Sequence, residues 1–98
     1  GASLGTFKLT GYYARSGAKT ASGAPVQKNH TIAVDKRVIP LGTWVDINIP
    51  GEGWQRFKAE DTGSAVKGNK IDIYVGTNRS DCYQAKYNSR VEVRLAPQ

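Results

Sequence analysis

The residues best suited to chemistry are three aspartates, Asp35, Asp61 and Asp72, each within or just after a β-prone run. Asp61 and Asp72 lie in the stretch A-E-D-T-G-S-A-V-K-G-N-K-I-D-I-Y (Ala59–Tyr74), joined by a polar, glycine-bearing turn. Unpaired carboxylates are poor core material, because burying a charge without a partner is costly. Beside loops on rigid strands they are good site material. Clustered carboxylates cannot all ionise cheaply, so one of them holds its proton towards neutral pH. A protonated carboxyl is the group that hands a proton to a glycosidic oxygen. The competing reading is structural: the acids cap turns or pair with Lys36, Arg37, Lys67 and Lys70. Spacing alone leaves both readings open.

Six β-prone runs must position these acids. Thr6–Tyr13 alternates Phe7 and Leu9 with Lys8 and Thr10, a period of two that argues a strand. His30–Val34 is a short run ending at Asp35, and Val38–Thr43 reads as a turn with a hydrophobic plug. Trp44–Ile49 alternates Val45, Ile47 and Ile49 against Trp44, Asp46 and Asn48. Pro50–Gly53 closes a hairpin onto a return strand, Trp54–Ala59. Ile71–Val75 and Val91–Leu95 complete the set. Thr77–Ser80 offers helix caps, and Asp81–Lys86 is expected as one short helix with an acid first and a base last. Ala14–Asn29 reads as a long loop, a length usually functional or mobile in a compact domain.

Ninety-eight residues make one domain with a modest core. Eleven glycines and four prolines suit a turn-rich, all-β chain, and six strands in so few residues suggest a small closed barrel. Gly1-Ala2-Ser3 reads as a cloning remnant, so the domain is taken as residues 4–98. One cysteine, Cys82, excludes an intrachain disulfide without fixing the compartment. The net charge of +6 favours an anionic partner, whether nucleic acid, a membrane surface or a wall polymer, or plain solubility. The basic residues are scattered, with no run of five, which argues against nucleic acid. No run of about 18 apolar residues exists to span a membrane.

The blocks I-A-V-D-K-R-V-I-P-L-G-T (Ile32–Thr43) and E-D-T-G-S-A-V-K-G-N-K-I-D-I-Y (Glu60–Tyr74) resemble the three-aspartate, or 3D, domain family. The resemblance runs from T-G-Y-Y at Thr10, through T-A-S-G at Thr20–Gly23, to the last strand. It implies a six-stranded double-psi β-barrel. It also implies a peptidoglycan lytic transglycosylase, which cleaves the MurNAc–GlcNAc β-1,4 bond and leaves a 1,6-anhydro-muramoyl end. By position, Asp72 matches the family's catalytic acid, Asp61 its second active-site aspartate and Asp35 its first. Asp61 and Asp35 are then expected to raise the pKa of Asp72 and to hold the sugar. Substrate-binding positions are Tyr12, Thr20, Thr62, Gly63 and Lys67, the last facing anionic peptide stems. Ser64 departs from the family's usual second glycine and is expected to narrow the loop. The domain is expected to be secreted or wall-associated, monomeric, and free of metal and cofactor. The alternative is a non-catalytic wall-binding or wall-loosening module on an expansin-like barrel.

Asp61-Thr62-Gly63-Ser64 also imitates an aspartic-protease motif. The preceding Ala59-Glu60 is not the apolar pair such enzymes need, and Thr62–Ile73 leaves no room for a flap. His30, the only histidine, is expected to be structural or exposed, and Cys82 to be a packed small hydrophobe. Among the aromatics, Tyr12 and Tyr13 must point to opposite faces of a strand, and one of the pair is expected to line the cleft.

Overall fold

A computed structural model describes residues 1–97. Six strands form in chain order: β1 (Ser3–Tyr12), β2 (Thr31–Val34), β3 (Trp44–Ile49), β4 (Gly53–Asp61), β5 (Lys70–Tyr74) and β6 (Asn88–Leu95). They close into a ring in the order β1-β5-β2-β4-β3-β6. Two pairs are parallel, β1 with β5 and β2 with β4, and the antiparallel pair of β2 with β5 lies between them. This is the double-psi β-barrel.

Period-two alternation fills the barrel. Phe7 and Leu9, Ile32 and Val34, Val45 and Ile47, Phe57 and Ala59, Ile71 and Ile73, Val91 and Val93 all enter one buried cluster. Ile39 plugs it from the turn after β2, while neighbouring Val38 is exposed. The β3–β4 hairpin turns through Gly51 and Gly53, both at positive φ (80° and 81°), where a side chain would be strained.

Two expectations change at the edges. Ser3 pairs with Arg94, and the Ala2 carbonyl accepts the Leu95 N–H, so two of the residues set aside as a remnant take part in the sheet. The expected helix at Asp81–Lys86 is two 3₁₀ turns, Arg79–Tyr83 and Ala85–Tyr87, separated by Gln84 in an extended conformation. Asn78 makes no capping hydrogen bond and neither turn buries a residue. Without a cap or an apolar face, so short a segment cannot offset the cost of helix nucleation. The expected long loop at Ala14–Asn29 lies between β1 and β2, and it is tied internally. Lys19 bridges to Pro25, and Thr20 and Val26 N–H groups donate to Ala24 and Ala18 carbonyls at 2.8 Å each.

Candidate active site

Asp72 belongs to the outer face of the barrel, because its neighbours Ile71 and Ile73 point into the core. Asp61 reaches the same face through a defect in β4. Ile32 pairs with Ala59, but the next residue, Ala33, pairs with Asp61. Glu60 is therefore the extra residue of a β-bulge. Strict alternation would have sent Asp61 inward beside Ala59. Instead Glu60 is buried on the outer side, where its Oε1 accepts the Thr31 hydroxyl at 2.8 Å and lies 3.4 Å from His30 Nε2. Ala33 then stands between the two acids, paired with Asp61 on one side and Asp72 on the other. Thr10 of β1 continues the row beyond Asp72.

The two carboxyls are held differently. Asp61 accepts three hydrogen bonds: the Tyr12 hydroxyl at 3.0 Å, the Ala21 N–H at 3.0 Å and the Thr62 N–H at 2.9 Å. Asp72 accepts only the Thr10 hydroxyl, at 3.0 Å, and no cation lies within ion-pair distance of it among the described residues. Burial pushes the Asp72 carboxyl above the ordinary carboxylate range. The Thr10 hydroxyl and the Lys70 charge hold it back, and the Asp61 charge adds to the rise. Tyr12 joins the acids: burial, then the Asp61 charge, raise its phenol far above its usual range, so it remains a donor. Its ring packs against Tyr74 at 5.6 Å. A carboxyl that keeps its proton unusually long, beside a fixed carboxylate, can protonate a leaving oxygen and take a proton back.

Asp35 lies at the end of β2 with other partners. The chain leaves β4, crosses beyond Val34 and returns as β5 on the other side of β2. Asp35 pins that crossing: its Oδ2 accepts the Gly68 N–H at 2.9 Å. Arg37 holds both its oxygens, with Nε at 3.1 Å, Nη2 at 2.9 Å and its own N–H at 3.0 Å. The Arg37 side-chain bond, with the N–H donors of Gly68 and Arg37, holds the Asp35 carboxyl well below the ordinary range. The nearby charges that act on the Asp72 carboxyl are those of Lys70 and Asp61, while the Asp35 charge is met by Arg37.

An open groove of about 590 Å³ runs beside this crossing, lined by Asp35, Lys36, Arg37, Thr62, Gly63 and Lys67, with Val34 and Ser64. Thr62, Gly63 and Lys67 thus face one groove, and Ser64 is exposed on its wall. Gly63 sits close to its neighbour, since a Cβ there would lie 3.0 Å from Val66 Cγ2. Thr20 faces elsewhere. It is only 7% exposed, and its hydroxyl donates to the Ala24 carbonyl at 2.7 Å and meets Ser22 Oγ at 2.9 Å. It shapes the loop that delivers the Ala21 N–H to Asp61. His30 packs edge-on against Trp44 at 5.3 Å. Cys82 is half-buried in the first 3₁₀ turn rather than packed in a helix. Thr10 and Ala33 were not foreseen as site residues. Their parity opposite Leu9 and Ile32 was readable, but their pairing partners were not.

The chain matches the 3D domain over residues 30–95 and belongs to that family. It is 45% identical over 76 residues to the cell wall-binding protein YocH of Bacillus subtilis, covering 71% of this chain and 25% of YocH. It is 48% identical over 79 residues to the putative cell wall shaping protein YabE of the same organism, covering 78% of this chain and 18% of YabE. Among solved structures it resembles the lytic transglycosylase MltA of Escherichia coli, with a TM-score of 0.65 and 29% identity over 82% of this chain and 28% of that one. MltA with bound chitohexaose gives a TM-score of 0.62 at 29% identity, over the same shares of 82% and 28%. The lytic transglycosylase LtgG of Burkholderia pseudomallei gives 0.62 at 30% identity, over 84% of this chain and 26% of that one. The chain thus spans about a quarter or less of the relatives it matches.

Proposed function

We propose that this domain is a peptidoglycan lytic transglycosylase in which Asp72 is both general acid and general base. The observation that carries this reading is the pairing of Asp61 and Asp72 across Ala33, on one outer face, with no cation within ion-pair distance of Asp72 among the described residues. Protonated Asp72 donates to the oxygen linking MurNAc to GlcNAc as positive charge develops at C1. The Asp61 carboxylate, fixed by Tyr12, Ala21 and Thr62, stabilises that charge. Asp72 then removes the proton of the sugar's own C6 hydroxyl as that oxygen attacks C1 and closes the 1,6-anhydro ring. The nucleophile is intramolecular, so no further carboxylate is needed to activate water. Asp35 acts at one remove, by holding the crossing that carries Thr62 and Gly63. The likeness to MltA and LtgG supports this reading, and the export of the chain to the wall follows from it.

A second reading, a wall-binding module without catalysis, is favoured by the basic groove of Lys36, Arg37 and Lys67 and by the name of the relative YocH. Digestion of purified sacculi separates the two. Muropeptides lighter by one water than hydrolysis products, absent with Asp72→Asn, are expected. Products carrying the added water would indicate a muramidase. Sacculus binding without any release would leave the binding module.

A further inference from the structure

A second groove adjoins the acid pair and involves residues outside the acid site. It has a volume of about 500 Å³ and is lined by Gly11, Tyr12, Tyr13, Arg79, Cys82 and Tyr83. Tyr12 forms the shared wall: its ring lines the groove while its hydroxyl donates to Asp61. Cys82 also lines the groove, and its thiol is pushed up by burial first and by the Asp72 charge second. The groove therefore shares Tyr12 with the acid pair.

Two aromatic side chains in it are unusually open for their size. Tyr83 is 70% exposed and Tyr13 is 49% exposed. Tyr83 is nonetheless held, because Arg79 Nε donates to its hydroxyl at 2.9 Å. The first 3₁₀ turn buries no residue, so Tyr83 adds nothing to the core. An exposed, oriented aromatic face beside a catalytic centre is a binding feature rather than a packing one. A pyranose offers a flat C–H surface that matches such a face, and its hydroxyls can reach the free nitrogens of Arg79.

We propose that Tyr83, oriented by Arg79 and joined by Tyr13, is a stacking subsite for an amino-sugar ring of the glycan strand next to the cleaved bond. The occupant rests on the transglycosylase reading, but the subsite is testable without chemistry. The probe is chitohexaose, titrated into the Asp72→Asn protein by calorimetry. Tyr83→Ala in that background should weaken binding by about tenfold, the size of a lost aromatic contact of about 1.4 kcal/mol. Tyr83→Trp should restore it, and Tm should move little because the residue is exposed. Equal affinity in the Asp72→Asn protein with and without Tyr83, or no binding in either, overturns the subsite. Binding that depends on Tyr83, in a domain that releases no anhydro product, would uphold the subsite and remove the catalytic reading alone.

Discussion

Tyr12→Phe tests whether Asp61 is held in place for function. The phenol hydroxyl is the one side-chain donor among the three groups on that carboxylate, the others being the Ala21 and Thr62 N–H groups. Phenylalanine keeps the ring against Tyr74, so the loss is confined to one hydrogen bond. A bond to a charged group is worth roughly 1.5–3 kcal/mol, and partial exposure brings this to roughly 1–2 kcal/mol. In a domain of this size that lowers Tm by roughly 4–8 °C per kcal/mol. If the transition state feels the same loss, kcat for release from sacculi falls about tenfold per 1.4 kcal/mol, with KM little changed. The phenol pKa is raised, so the hydroxyl stays protonated through neutral pH and the stability difference is flat there. Above about pH 10 the unfolded tyrosine ionises first, the wild type loses its advantage, and the gap narrows. Differential scanning fluorimetry across pH and turnover on sacculi give both readouts. A variant with wild-type Tm and wild-type kcat would refute the claim that Tyr12 positions Asp61.

Two further outcomes follow from the opposite electrostatics of Asp72 and Asp35. The folded pKa of Asp72 is raised, so ionising it costs stability as pH climbs, and Asp72→Asn removes that cost while keeping an acceptor for Thr10. Its Tm should exceed that of the wild type at neutral pH and converge with it below about pH 4; a lower neutral Tm would count against a buried, reluctant acid. The folded pKa of Asp35 is lowered, so its stabilisation is complete above the unfolded value near pH 4 and is lost in stronger acid. Asp35→Ala should therefore be less stable than the wild type at neutral pH, approach it in acid, and show faster amide exchange at Gly68; a pH-independent gap would exclude the ion pair as its cause.

The barrel was legible where alternation was strict. Val45, Ile47 and Ile49 marked β3 to the residue, and Phe7 with Leu9 marked the inward side of β1. What a period of two cannot carry is a bulge. Reading outward from Ala59, it places Asp61 in the core, and only the pairing of Ala33 with Asp61 shows that Glu60 is the extra residue. Strand ends were blurred for a related reason. Asn88, Ser89 and Arg90 have no apolar alternation, yet they pair with Thr10, Leu9 and Lys8, because long-range pairing overrides local preference. The partners of Asp35 were half-visible. Arg37, two residues on, was a readable candidate, whereas Gly68 becomes a neighbour only once the chain crosses β2.

That crossing also explains why the family motif holds three acids when the proposed reaction uses one proton. Two catalytic positions facing each other across a single residue require two strands on either side of a third. Consecutive β4 and β5 can flank β2 only if the connection passes over the end of β2. Such a connection exposes backbone N–H groups that no strand satisfies. A carboxylate at the first residue after β2 accepts one of them, from Gly68, and takes its charge balance from Arg37. Asp35 thus belongs to the geometry that lets Asp61 and Asp72 share a face, and its ionisation is suited to that task. The acid that must hold a proton is the one whose only side-chain partner is a neutral hydroxyl. Under the proposed reaction, division of the three acids into one pin, one fixed carboxylate and one proton carrier follows from where the double-psi topology sets each of them, and the roles are not interchangeable by charge alone.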